Sequence, residues 1–140
     1  MQMRTRRALV WATVLVLSLG ATAPLAAGAR FQEVTVNQAR ELIQKHARNP
    51  QLVILDVRTP EEFAEGHLSG AVNVNLMAPD FESRVGTLDR GKSYLVYCRT
   101  GSRSTRAIQT MGRLGFRSVY HMFEGIVGWQ KKGFPLSTSS

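Results

Sequence analysis

The sequence predicts an α/β domain built on a mostly parallel central sheet with helices on both faces. Three observations lead there. Short β-branched and aromatic runs alternate with stretches of helical periodicity from residue 31 to residue 132. One of these runs, Leu52-Val53-Ile54-Leu55, is apolar without alternation, as a central parallel strand covered on both faces requires. The lone cysteine, Cys98, falls where a strand ends and a helix begins, and open sheets of this class carry their sites at the C-terminal ends of strands.

The elements follow in order. Phe31-Gln32-Glu33-Val34-Thr35-Val36 alternates and reads as a short edge strand. Asn37 is the expected N-cap of a helix that carries Ala39, Leu42, Ile43 and Ala47 on one face, and Asn49-Pro50 ends it. After the Leu52–Leu55 strand, Thr59-Pro60-Glu61-Glu62 spells a capping box with proline at the first helical position. Residues 71–74 form another strand and residues 77–84 a short helix. Ser93-Tyr94-Leu95-Val96-Tyr97 is the strand before the cysteine. The helix after it spans residues 105–114, with Ala107, Ile108, Met111 and Leu114 at helical spacing and Gly115 as its stop. Residues 119–122 are a last strand and 126–132 a last short helix.

At 140 residues the chain holds one domain with a real core. Residues 1–7 carry three arginines, residues 8–20 are uncharged and mostly apolar, and the small-residue stretch that follows ends Ala27-Gly28-Ala29. These are the three regions of a secretory signal peptide over residues 1–29, which leaves a mature domain of 30–140 in the periplasm or secreted. The competing reading is an uncleaved membrane anchor, since residues 8–29 are all uncharged; Gly20, Pro24 and Gly28 interrupt its second half and favour cleavage. No lasting membrane association is expected after cleavage.

The net charge is +8, and without the three N-terminal arginines 15 basic residues stand against 10 acidic ones. Aromatic residues do not interleave with the basic ones, so nucleic acid is not an expected partner. A single cysteine excludes an internal disulfide, and His46, His67 and His121 lack metal-ligand spacing and read as surface or packing residues, so no metal is expected.

The chemistry concentrates in Cys98-Arg99-Thr100-Gly101-Ser102-Arg103-Ser104. A turn from strand into helix aims several backbone N–H groups at one point, backed by the positive end of the helix dipole. Gly101 permits a tight bend, small Ser and Thr side chains leave the concavity open, and Arg99, Arg103 and Arg106 add positive charge. Such a setting favours thiolate over thiol, and the thiolate is the nucleophile. A core thiol would keep apolar company instead. Asp56 and Arg58, just after the Leu52–Leu55 strand, read as an ion pair that fixes the loops beside the site. Phe63, Leu68 and Trp129 read as packing residues; Glu124 and Gly125 fit a pocket rim and a simple turn equally well.

The cysteine loop resembles the active-site loop of rhodanese (thiosulfate sulfurtransferase) domains. Three further stretches are similar to that family in the expected order: Leu55-Asp56-Val57-Arg58-Thr59-Pro60-Glu61-Glu62-Phe63, then Gly66-His67-Leu68-Ser69-Gly70-Ala71-Val72-Asn73-Val74, then Glu124-Gly125-Ile126-Val127-Gly128-Trp129. Together they cover residues 31–136, and Ser69 stands where the family more often has proline. The resemblance implies a rhodanese-like fold and a cofactor-free sulfur transfer. A small anionic donor such as thiosulfate loses its outer sulfur to Cys98, and a thiophilic acceptor, cyanide or a thiol, removes it from the persulfide. Arg99 and Arg103 are expected to orient the donor, Arg103 more strongly than Arg99, and the loop from Arg99 to Ser104 to hold the persulfide. The protein is expected to act as a monomer. Three alternatives stand: a persulfide carrier serving an exported partner, a phosphatase or arsenate reductase on the same fold, and a non-catalytic binding module. Against the phosphatase, only four residues separate Cys98 from Arg103, where that chemistry has five. The intact cysteine loop argues against the binding module.

Overall fold

The computed structural model describes residues 28–138, so all but the last two residues of the expected signal peptide lie outside the described residues. The elements are β1 (Arg30–Val34), α1 (Val36–Lys45), β2 (Leu52–Asp56), α2 (Pro60–Glu65), β3 (Val72–Asn73), α3 (Phe81–Gly86), β4 (Ser93–Tyr97), α4 (Ser102–Arg113), β5 (Ser118–Met122) and α5 (Gly125–Lys131). The five strands form one sheet in the order β1-β5-β4-β2-β3, and every pairing in it is parallel. No helix among the described residues is long and apolar enough to cross a membrane.

Strand periodicity explains the two cores. Successive side chains of a strand point to opposite faces. In β4, Tyr94 and Val96 therefore join Leu55, Phe81, Val85, Ala107 and Met111 in one core beneath α3 and α4. Leu95 and Tyr97 join Val34, Val36, Ala39, Met122 and Trp129 in the other, beneath α1 and α5. Both faces of β4 are buried, and the run there has no polar alternation for that reason.

Several boundaries differ from the sequence expectation, among them β1, which ends at Val34 so that Val36 opens α1. Helix α1 is capped by Thr35, not Asn37: the Thr35 hydroxyl accepts from Gln38 N–H at 3.3 Å, and the Gln38 side chain accepts from Thr35 N–H at 2.8 Å. Glu124 supplies what the local sequence could not, accepting from Val36 N–H at 2.7 Å and so satisfying a first-turn donor of α1. Helix α4 begins at Ser102, three residues early, because Gly101 takes a left-handed conformation with φ 101° and turns the chain straight into it. The short helix α3 starts later, at Phe81, and β3 contracts to two residues. The capping box at α2 is present as read: Thr59 N–H donates to Glu62 at 3.0 Å, and Glu62 N–H donates to the Thr59 hydroxyl at 3.3 Å.

Candidate active site

The site grows out of the end of β4. Cys98 follows Tyr97 directly and is 1% exposed. Its Sγ accepts from Gly101 N–H at 3.1 Å and from the Ser104 hydroxyl at 3.3 Å. Burial pushes the thiol up, but the Ser104 hydroxyl and the amides of Ser104, Gly101 and Thr100 outweigh it and hold the thiol below its ordinary range. The 12-residue α4 adds the positive end of its dipole behind these donors.

The loop is braced from the next crossover. Ile126 N–H donates to the Cys98 carbonyl at 2.9 Å and Val127 N–H to that of Arg99 at 3.2 Å. The two backbones lie so close that a Cβ on Gly101 would overlap the carbonyl oxygen of Phe123, and one on Gly125 the carbonyl of Arg99. Gly125, at φ +64°, is therefore no simple turn residue: it lets α5 dock on the cysteine loop. Glu124 accepts from Val36 N–H in the first turn of α1, the helix that Thr35 caps.

The remaining expected residues separate into distinct roles. Asp56 and Arg58 form a buried pair: Arg58 Nη2 donates to Asp56 Oδ2 at 2.6 Å and to the Gly66 carbonyl at 2.7 Å, which ties β2 to the end of α2. Arg103, expected to be the stronger donor ligand, lays its guanidinium on Glu62 at 2.6 and 2.8 Å. Arg99 is exposed and lines a cleft of about 220 Å³ together with Arg58, Glu62, Glu65 and Gln130. Glu62 thus engages the Arg103 guanidinium, while Arg99 lines the cleft. Thr100 and Ser102 are exposed on the outside of the turn, and Ser104 is fully buried beneath it. His67 stacks on Phe63 with ring centroids 3.7 Å apart, and Trp129 donates to the Pro135 carbonyl at 3.0 Å; both belong to packing.

Two participants escaped the sequence reading. Glu62 was legible as a capping residue but not as the partner of Arg103. His121, on β5, is a buried residue, and it lies 2.7 Å from the Ser104 hydroxyl. Only the parallel pairing of β4 with β5, which sets His121 beside Val96, brings it under the loop.

Comparison with known proteins agrees with this geometry. Residues 36–132 match the family model described as a rhodanese-like domain. The chain is 37% identical over 91 residues to thiosulfate sulfurtransferase 16, chloroplastic, of Arabidopsis thaliana, covering 58% of this chain and 76% of that protein. It is 32% identical over 105 residues to the putative sulfurtransferase YtwF of Bacillus subtilis, covering 75% of this chain and 96% of that one. Among solved structures, a rhodanese-related protein from Thermoplasma volcanium superposes with a TM-score of 0.66 at 26% identity, covering 77% of this chain and 99% of the other.

Proposed function

The chain belongs to the family of rhodanese-like domains, and from that premise we propose that it is a thiosulfate sulfurtransferase working through a persulfide on Cys98. The observation that carries this reading is the cradle around Sγ: an amide and a hydroxyl at 3.1 and 3.3 Å, aimed at an anionic sulfur in a buried site.

The Cys98 thiolate attacks the outer sulfur of thiosulfate. A new S–S bond forms, the S–S bond of the donor breaks, and sulfite leaves with the bonding electron pair. The persulfide anion keeps the charge that the cradle already serves. Cyanide or a thiolate then attacks the terminal sulfur, and Cys98 departs as thiolate. Arg99 attracts the sulfonate end of the donor from the cleft, while Arg103, held by Glu62, fixes the first turn of α4. A phosphatase reading lacks support on two counts: the loop is one residue short, and the arginine that would clamp a phosphate is engaged by a carboxylate. We further propose that residues 1–29 direct export to the periplasm and are removed, leaving a monomeric domain without nucleic-acid or membrane partners.

Mass spectrometry of the purified protein after thiosulfate treatment tests the reading. One added sulfur atom on Cys98, removed by cyanide with release of thiocyanate, is the expected result. No added sulfur, or ready hydrolysis of p-nitrophenyl phosphate, would overturn it. A persulfide that persists against cyanide and small thiols would instead make the protein a carrier. N-terminal sequencing of the exported protein, expected to begin at Arg30, tests the signal peptide.

A further inference from the structure

We propose that His121 is a positioning residue which, through the hydroxyl of Ser104, takes up the proton that Cys98 loses on becoming a nucleophile. The inference rests on the sulfur-transfer reading for its purpose, and on geometry for its content.

Ser104 Oγ lies 2.7 Å from His121 Nε2, 3.3 Å from Cys98 Sγ and 3.0 Å from the Gly101 carbonyl. A hydroxyl has one hydrogen, so it serves one of these three acceptors at a time. The three side chains in line are Cys98, Ser104 and His121, with exposures of 1%, 0% and 3%. The second nitrogen of the imidazole, Nδ1, is buried and has no hydrogen-bond partner among the described residues. It lies 3.7 Å from Oε1 of Glu33, the register partner of His121 on β1. A buried imidazole with one nitrogen on a catalytic-loop hydroxyl and the other turned toward a carboxylate is arranged to carry charge in one state of the site.

The proton count closes. With Cys98 a thiol, His121 is neutral and carries its hydrogen on Nδ1; Ser104 donates to Nε2, and the thiol donates to Ser104 Oγ. On ionisation the Sγ–H bond breaks and an O–H bond forms at Ser104, while the original Ser104 O–H bond breaks and an N–H bond forms at Nε2. The products are a thiolate and an imidazolium. The Ser104 hydrogen now faces Sγ, Nε2–H donates to Ser104 Oγ, and the Nδ1–H faces Glu33. Burial alone depresses the basicity of His121, and Glu33 opposes that effect. The thiolate therefore favours the imidazolium beside it; the transfer itself takes no proton from solvent, and acid reverses the ion pair by protonating Sγ. Because the thiolate and the persulfide anion carry the same charge, the proton stays on His121 through both half-reactions. The titratable groups set against the imidazole are Glu33 from β1 and Cys98 from the β4–α4 turn; α4 presents Ser104 and β4 presents Val96.

Two measurements on the full chain test this, and neither needs a sulfur donor, so failure of thiosulfate turnover leaves both readable. The first is the pH dependence of Cys98 alkylation by iodoacetamide. His121→Gln is expected to raise the midpoint by about one pH unit, or roughly tenfold less thiolate on the acid side of it. Ser104→Ala is expected to do the same, and the double variant to do no more than either single one. The second is the NMR titration of the His121 ring. In the wild type the ring is expected to be protonated over the pH range in which Cys98 is already ionised and to lose its proton only above that range; in Cys98→Ser it is expected to be neutral there. An unchanged alkylation midpoint in a folded His121→Gln protein would overturn the proposal. So would a His121 titration indifferent to Cys98→Ser, and this second arm holds even if the histidine variant fails to fold.

Discussion

The guanidinium of Arg103 forks onto the carboxylate of Glu62, 41 residues earlier in the chain, and so joins the first turn of α4 to the first turn of α2. Both helices lead away from the C-terminal edge of the sheet, and the pair spans the gap beside the cysteine loop. Hydrogen bonds from Arg103 are the main reason that the Glu62 carboxyl is held down to about 2.

That depression fixes the sign of a pH effect. A carboxyl whose pKa falls on folding stabilises the native state above its ordinary pKa near 4.5, and the contribution is lost as pH falls toward about 2. Glu62→Gln is therefore expected to lower stability by about 1 kcal/mol at neutral pH, as fits a pair that solvent still reaches. Urea unfolding of both proteins should show the gap closing between pH 4.5 and 2.

The two loop arginines should separate kinetically. Arg99→Ala is expected to raise KM for thiosulfate about tenfold with little change in kcat, since an exposed cationic residue at the cleft attracts the donor. Arg103→Ala is expected to act chiefly on stability. Steady-state kinetics at low ionic strength, repeated with added salt, should show the Arg99 effect shrinking.

The Asp56–Arg58 pair should be costly to break and cheap to replace. Either Asp56→Asn or Arg58→Met leaves a buried group without its partner, and is expected to destabilise by about 3–5 kcal/mol. The double variant Asp56→Leu/Arg58→Met is expected to recover much of that loss in chemical denaturation.

Gly125→Ala should disable the site from the neighbouring loop. Its Cβ would overlap the Arg99 carbonyl, which is backbone and cannot swing aside, at a φ that also disfavours alanine. The expected outcome is slow alkylation of Cys98 and loss of persulfide formation, with the far-UV spectrum of the fold retained.

Much of this architecture is legible in the residues themselves. The unbroken apolar run at Leu52–Leu55 and the capping box at Thr59 are local signals, and both elements stand where those signals put them. Cys98 could be located because a strand, a glycine turn and a helix follow one another without interruption. Asn37 misled because the cap lies two residues earlier, where Thr35 and Gln38 form a local capping box. The partners of Arg103 and His121 lie far off in the chain. Arg103 meets Glu62, and Ser104 meets His121, only across the tertiary fold, the latter through the pairing of β5 beside β4, and no spacing within either segment reports it.

The strand order carries a consequence for biosynthesis. Among the described residues β1 pairs with β5 alone, and β5 also flanks β4, so the sheet between β1 and β4 stays open until residues 118–122 have left the ribosome. The amides that brace the Cys98 and Arg99 carbonyls arrive later still, with Ile126 and Val127. Between the synthesis of Cys98 and that of Val127 the nascent chain therefore carries its cysteine without the braces on this loop. The loop that holds Sγ is thus fixed in place by residues made after it.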